Sequence, residues 1–289
     1  MTDKEMKTKK KTFSFKTLFL LFIICVATTL LWARYVSTRG LVVKEYAIKE
    51  TTLNEDWDGL KIVHFTDLHY GSTIFLEELK NIVKEINKQN PDLIVFTGDL
   101  IEQGVDLSDK EIDSLIKELN KLSPKVETLA VLGNHDYDHD YWNRIVPNID
   151  WHVLDNTYEY VYYKSKTPIV FVGLDDLTVG NPDYTNAFSF LNEHEEELYT
   201  IVLAHEPDQI EEFQNYHFDL VLSGHSHLGQ VRLPIIGALY TPIGSKKYYE
   251  EHYKVADAHL YISGGIGTSG IKFRFFNKPS INLYRFYTK

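Results

Sequence analysis

The stretch LKIVHFTDLHYG, residues 60–71, decides the fold class of this chain of 289 residues. Its first six residues are largely apolar, as in a buried strand, and Asp67 and His69 follow directly after them. Residues 76–86 then carry leucine, isoleucine and valine at helical spacing, Pro91 ends that helix, and DLIVF begins a second strand. This order predicts a layered α/β domain with helices outside and sheets within.

The same alternation continues along the chain. Ser108 and Glu111 form a capping-box signature ahead of a second helix. From Leu233 onward the pattern changes to short strands with aromatic residues and glycines. No linker-like segment interrupts residues 40–289, so we expect them to form one domain. The other apolar strands are predicted at residues 127–132, 168–174, 200–204 and 219–223.

Side chains that bind metals follow most of these strands. Because sites in such sheets gather beyond the carboxyl ends of the strands, we expect these side chains to cluster. The candidates are Asp67, His69, Asp99, Asn134, His135, His205, His225 and His227.

These ligand types indicate the kind of ion. Carboxylate, amide and imidazole groups without thiolate suit Mn, Fe, Zn or Co, and the one cysteine, Cys25, excludes a cysteine-based zinc site. If His135 is catalytic, the remaining candidates are too many for one tetrahedral ion and suit two divalent ions. Such ions would lie about 3.5–4 Å apart, and a water between them would ionise near neutral pH.

The motifs D-x-H, GD, GNHD, a lone histidine and GHSH occur in this order between residues 60 and 284. Together they resemble the calcineurin-like metallophosphoesterase superfamily. The segments GQVRLP and GIGTSG…RFFNKP are further similar to a branch of small, membrane-associated bacterial phosphoesterases. The resemblance implies a four-layer α-β-β-α sandwich, here preceded by one transmembrane helix.

The resemblance also implies a role for each candidate residue. Leu228 stands where this branch usually has glycine, so we expect an altered pocket shape. His135 would face the substrate phosphate and stabilise or protonate the leaving group. Metal one would be held by Asp67, His69 and His227, metal two by Asn134, His205 and His225, and Asp99 would bridge both.

The activity implied is hydrolysis of phosphodiester or pyrophosphate bonds, in which a hydroxide bridging the two metals attacks phosphorus. A phosphomonoesterase is one alternative, and a non-catalytic binding scaffold on the same fold is another. Arg274, near the glycine-rich end, is a candidate for binding a substrate phosphate, and the alternative for it is a surface ion pair.

The N-terminal segment has a different composition from the rest. An uncharged stretch at residues 17–33, closed by Arg34, is at the short end of what crosses a hydrocarbon core of ~30 Å. By the positive-inside rule we predict a basic cytoplasmic tail at residues 1–16, a transmembrane anchor with a short linker at 17–39, and an extracytoplasmic phosphoesterase domain at 40–289. A cleaved secretory signal and a buried core helix are the alternatives. The lysines ahead of the stretch are Lys4, Lys7, Lys9, Lys10, Lys11 and Lys16.

The net charge argues against one class of partner. The chain carries −11, and residues 1–40 hold eight basic and two acidic side chains, which leaves 22 basic and 39 acidic ones, or about −17, outside. Since nucleic acids are bound chiefly by phosphate neutralisation, no nucleic-acid partner is expected. The expected partners are the membrane, through the N-terminal helix, and a small phosphoester or one derived from lipid or cell wall. The sequence predicts no oligomeric state.

Overall fold

The computed structural model describes residues 14–51, 53–138, 140–192 and 197–289. Residues 1–13 of the predicted basic tail therefore lie outside the described residues. Within those ranges the helices are α1 (Phe15–Tyr35), α2 (Leu76–Lys88), α3 (Asp109–Leu119), α4 (Tyr141–Ile145) and α5 (Tyr184–Ala187). The strands are β1 (Val42–Lys49), β2 (Lys61–Phe65), β3 (Leu93–Thr97), β4 (Glu127–Val131), β5 (His152–Val153), β6 (Thr157–Val161), β7 (Ile169–Gly173), β8 (Thr200–Leu203), β9 (Leu220–Ser223), β10 (Arg232–Leu233), β11 (Gly237–Ala238), β12 (His252–Val255), β13 (Ala258–Ile262) and β14 (Ser280–Tyr287).

Two six-stranded sheets form the centre of the domain. The first has the order β1-β14-β2-β3-β4-β5, and the second has the order β12-β13-β9-β8-β7-β6. Strands β2, β3 and β4 run parallel in the first sheet, as do β7, β8 and β9 in the second. Parallel strands bring their carboxyl ends to one edge, so the loops that follow them meet there.

Alternating side chains of each strand build separate apolar layers. In β2, Val63 belongs to the core under helices α2 and α3, whereas Ile62 belongs to the core between the sheets. A third core lies on the outer face of the second sheet, where Val170 and Val221 pack with Phe213. The predicted four-layer α-β-β-α arrangement is confirmed.

The two outer layers, the first and the fourth, differ in their helices. Under the first sheet lie the 13-residue α2 and the 11-residue α3. The outer face of the second sheet is covered by the four-residue α5 and by the 3₁₀ turns Ser189–Asn192 and Pro207–Glu211. These short turns still bury aromatic rings such as Phe188.

Helix α1 is long and apolar enough to cross a membrane by length and composition. Most of it is exposed, but its last turn contacts the domain. Ala33 is buried, its carbonyl oxygen accepts the Arg274 backbone N–H at 3.1 Å, and the Trp32 ring meets Phe275 edge-on at 5.8 Å. Ser37 is also buried, so the predicted linker is packed against the domain.

Candidate active site

The candidate ligands come from loops of both sheets. Asp67 and His69 follow β2, Asp99 follows β3, and the 3₁₀ turn Asn134–Tyr137 follows β4. From the second sheet, His205 follows β8, and His225 and His227 follow β9. Because the carboxyl ends of these strands face each other across the interface of the sheets, residues far apart in sequence meet in one cluster.

The cluster contains two groups of candidate ligands, and within each group the ligand atoms lie within 4.8 Å of one another; Glu102 and His135 form a further such group with His69. The first is Asp67, His69 and His227, with 3.3 Å from His227 Nε2 to Asp67 Oδ1. The second is Asp99, His205 and His225, with 3.3 Å from His205 Nε2 to Asp99 Oδ2. Asp99 Oδ2 also lies 3.5 Å from His69 Nε2, so this carboxylate stands between the two groups.

Hydrogen bonds fix the orientation of two of the histidines. His205 Nδ1 lies 2.6 Å from the Thr97 carbonyl oxygen, and His225 Nε2 lies 2.6 Å from the Ile243 carbonyl oxygen. A carbonyl oxygen only accepts, so these nitrogens carry the proton and donate. The other nitrogen of each ring is directed into the cluster, where the neutral ring would offer its lone pair to a metal ion.

The buried carboxylates of the cluster need nearby positive charge. Burial alone would raise the pKa of Asp67, but His227 and His69 outweigh it and hold that pKa below its usual range. Burial likewise disfavours protonated His69, yet contacts with Asp67 and Glu102 raise its pKa to about 10. Buried carboxylates that draw protons onto neighbouring imidazoles form a set that suits bound cations.

Asn134 contributes an unsatisfied oxygen. Its Oδ1 atom is buried and has no hydrogen-bond partner among the described residues. Buried polar atoms are normally paired, so an unpaired one needs an explanation, and binding of an ion is a common one. The residue types, the ring orientations and this orphaned oxygen all fit a metal site.

Several candidate ligands have a left-handed backbone. Asp67, His69, Asp99, His225 and His227 have φ between 44° and 62°. This conformation costs a non-glycine residue about 1–2 kcal/mol. Backbone strain of this kind persists where the surroundings enforce it, and it concentrates at functional sites.

His135 lies beside the two groups and faces a cleft. The Gln103 backbone N–H donates to its Nδ1 at 3.0 Å, so the proton of the neutral ring sits on Nε2. Nε2 lies 4.0 Å from Asp99 Oδ2 and 3.4 Å from Ser269 Oγ. Burial lowers the pKa of His135, which favours the neutral ring.

The cleft has a volume of about 560 Å³. Its polar side is formed by Asp99, Asn134, His135, His225 and His227. The rest of its lining is largely apolar and includes Leu239, Tyr240 and Ile271.

Leu228 corrects one expectation. The side chain that was expected to change the pocket does not line the cleft. It is buried in the apolar core on the outer face of the second sheet, and its backbone has φ of 50°. The loop therefore keeps a backbone conformation typical of glycine, and the side chain points away from the pocket.

Arg274 is buried behind His227. Its guanidinium donates to the carbonyl oxygens of Gly264 and Gly267 at 2.9 and 2.7 Å, and its Nη2 lies 3.2 Å from His227 Nδ1. Full burial rules out the surface ion pair. Arg274 contacts a candidate ligand and does not line the cleft, so phosphate binding by this residue stays a prediction.

Two acidic residues outside the eight candidate residues also belong to the site. Glu102 Oε2 lies 2.7 Å from His69 Nδ1, on the side of the ring away from the cluster. The Asp136 carboxylate accepts the backbone N–H groups of Asp99, Leu100 and Gly133 at 2.8–2.9 Å, so it joins the loops after β3 and β4. Asp136 is the last residue of the GNHD motif, whereas Glu102 was missed because its only sequence signal is its nearness to the GD motif.

Comparisons with known proteins agree with this geometry. The metallophosphoesterase YkuE of Bacillus subtilis is 35% identical over 256 residues, covering 88% of each chain. The phosphodiesterase YaeI of Escherichia coli is 29% identical over 219 residues, covering 72% of this chain and 75% of its own. A transmembrane protein with a metallophosphoesterase domain from Danio rerio is 29% identical, covering 83% of this chain and 56% of its own. Residues 60–229 match the family described as calcineurin-like phosphoesterase. The chain therefore belongs to the calcineurin-like phosphoesterases, a family of phosphoester hydrolases.

Proposed function

We propose that this phosphoesterase is a dinuclear, membrane-anchored enzyme that hydrolyses phosphodiester or pyrophosphate bonds outside the cytoplasm. The observation that carries the proposal is the position of Asp99, whose carboxylate lies within 3.5 Å of a histidine from each ligand group. One carboxylate between two sets of inward-directed imidazoles is the arrangement expected of a ligand shared by two ions.

In this proposal Asp67, His69 and His227 hold one ion, Asn134, His205 and His225 hold the other, and Asp99 binds both. Divalent ions bound there would polarise the phosphoryl oxygens and lower the pKa of water. The ligands suit Mn, Fe, Zn or Co, and manganese is the ion that we would test first.

His135 would assist the leaving group. Its Nε2–H faces the cleft, so it can donate a hydrogen bond to the leaving oxygen as negative charge develops there. The Gln103 N–H holds the ring in this tautomer, so the donor is oriented before substrate binds.

The lining of the cleft favours a diester over a monoester. No lysine or arginine of the described ranges lines it, and much of its lining is apolar. A phosphomonoester brings two negative charges and would gain from a cationic side chain. A diester brings one charge and a second substituent, which the apolar lining can accommodate. The phosphodiesterase name of the Escherichia coli relative supports the same choice.

The activity test compares bis(p-nitrophenyl) phosphate with p-nitrophenyl phosphate, using the full chain in detergent and each divalent ion in turn. Preference for the monoester would favour the phosphomonoesterase. Absence of turnover on both, with metal bound, would favour the non-catalytic scaffold.

Two substitutions separate catalysis from metal binding. His135→Ala should keep both ions and lower turnover about 10²–10⁴-fold, as for loss of a positioned acid, whereas the exposed His152→Ala should change neither. Asp99→Ala should lose metal content together with rate. Undiminished turnover in His135→Ala, or two ions per chain in Asp99→Ala, would contradict the assigned roles.

The membrane part of the proposal rests on α1 and on the lysines ahead of it. The helix is exposed and apolar over most of its 21 residues, and the basic segment lies on its N-terminal side. A reporter fused after Lys289 should therefore give an external signal. A cytoplasmic signal would reverse the orientation.

A further inference from the structure

Exposed apolar side chains lie at the cleft and on the two segments that line it. Ile235 is fully exposed, and Ile236, Tyr240 and Ile243 are each more than 70% exposed. We call this surface the apolar rim, and its members are Ile235, Ile236, Leu239, Tyr240, Ile243, Ile271 and Phe276. Contiguous apolar surface of this kind marks a contact with a partner or a membrane.

The rim is one surface although it comes from two segments. Gln230 donates to the Ile271 carbonyl oxygen at 2.7 Å, and the Arg232 backbone N–H donates to the Phe275 carbonyl oxygen at 2.9 Å. Leu239, Tyr240 and Ile271 belong both to the rim and to the cleft wall. Whatever covers the rim therefore also meets the entrance to the site.

The end of helix α1 lies against the same surface. The Arg274 N–H donates to the Ala33 carbonyl oxygen, and Phe275 meets Trp32. Phe276, a member of the rim, is the next residue along the chain and packs on Phe275 with 4.6 Å between ring centroids. The rim is therefore at the level where α1 would leave the bilayer, so a membrane that holds α1 would lie beside it.

The two segments that carry the rim are basic, although the carboxylates of Asp208, Glu250 and Glu102 contact them at Lys246, Arg232 and Gly270. Residues 40–289 are strongly acidic, yet residues 225–249 and 258–289 contain no aspartate or glutamate. Exposed cations stand next to the rim at Lys246, Lys272 and Lys278. Apolar side chains flanked by lysine are what an anionic membrane surface attracts.

We propose that the apolar rim docks on the bilayer that α1 spans, so that the cleft opens toward the lipid headgroups. The substrate would be an amphiphilic phosphoester, with its phosphoester group at the candidate metal centre and its apolar part along Leu239, Tyr240 and Ile271. The substrate class rests on the proposed phosphoesterase activity, whereas docking rests only on the proposed anchoring by α1.

Docking can be measured without any activity. Cys25→Ser gives a cysteine-free background, in which Ile236→Cys carries an environment-sensitive dye. The full chain is reconstituted in vesicles of phosphatidylglycerol and phosphatidylethanolamine containing a lipid spin label near the headgroup. The dye at 236 should lose fluorescence to the spin label, since an interfacial segment lies about 5–10 Å into the headgroup region.

The matched control is Tyr162→Cys, an exposed aromatic position that directly follows β6, at the opposite edge of the sheets. A dye at 162 should keep its fluorescence. Equal quenching at both positions, or none at 236, overturns docking. A dye at 236 that is shielded from water yet not quenched by lipid overturns it too, because a second copy of the chain or another protein would then cover the rim.

A second variant tests the link to substrate. Ile235→Ser combined with Ile236→Ser removes rim side chains that do not line the cleft. This variant should lose quenching from a dye at Phe276→Cys and keep its turnover of bis(p-nitrophenyl) phosphate. Unchanged quenching refutes docking. Absence of soluble turnover in the parent chain refutes the proposed function and leaves the quenching result valid.

Discussion

The substitution Gly98→Ala tests how closely the loops of the two sheets approach each other at the site. Its φ is +94°, and a Cβ atom there would lie 2.4 Å from Gly133 N and 2.7 Å from His205 Nδ1. The first contact is with backbone of the loop that carries Asn134, and the second is with a candidate ligand. Gly98→Ala should therefore disturb both loops at once.

The cost follows from two contributions. A left-handed alanine costs about 1–2 kcal/mol, and forcing atoms into a packed region costs about 1–3 kcal/mol. Alanine also reduces the conformational entropy of the unfolded chain, which stabilises the folded state by about 0.4–1 kcal/mol. The free energy of unfolding should therefore fall by about 1–5 kcal/mol, and Tm falls about 2–4 °C per kcal/mol in a domain of this size.

Gly59→Ala is the matched control. Its φ is +81°, but no atom lies within 4 Å of the added Cβ, so it has the backbone cost alone. The assay is thermal unfolding of both variants as metal-free protein, followed by metal content and turnover after reconstitution. Gly98→Ala should be the less stable and should lose metal, whereas Gly59→Ala should keep it. Equal stability and full metal content in both variants would refute the close approach.

Two further predictions concern groups behind the site. Glu102→Gln should weaken metal binding about 10–100-fold and leave the fold intact, because a neutral amide orients the His69 ring less strongly than a carboxylate does. Metal affinity is measured by competition with a chelating dye, and wild-type affinity would exclude this role. Burial lowers the pKa of His64 to about 3, below its value of about 6.5 in the unfolded chain. Below pH 6.5 the unfolded chain therefore binds a proton that the folded chain does not. The free energy of unfolding of the wild type should decline by up to about 1.4 kcal/mol per pH unit as the pH falls from about 6.5 toward 3. His64→Gln should show a shallower decline in urea unfolding between pH 6.5 and 4.5, and parallel curves would mean that His64 does not drive it.

The ligand-bearing strand ends could be predicted because two signals coincide in the sequence. A short apolar run indicates a buried strand, and Asp67, Asp99 or His205 placed directly after such a run lies at the edge of its sheet. Neither signal depends on contacts distant in sequence. The fold class and the candidate cluster were therefore both accessible without a structure.

The groups that orient the ligands could not be predicted in the same way. His205 and His225 are held by the carbonyl oxygens of Thr97 and Ile243, and any residue type presents a carbonyl there. The contact of Glu102 with His69 crosses between two loops, so its carboxylate carries no local signature. The short turns on the second sheet could not be predicted either, because segments of four or five residues are too short to show a helical period.

Leu228 illustrates why a departure from a family motif is hard to interpret from sequence. The glycine usual at this position suggested that space was needed in the pocket, but the backbone has φ of 50° and the side chain leaves the pocket for the outer core of the second sheet. Burial of a leucine contributes about 1.5–3 kcal/mol, which offsets the cost of about 1–2 kcal/mol for a left-handed residue. The loop therefore requires a left-handed backbone at residue 228, next to the candidate ligand His227. A leucine is tolerated there because the neighbouring core buries its side chain.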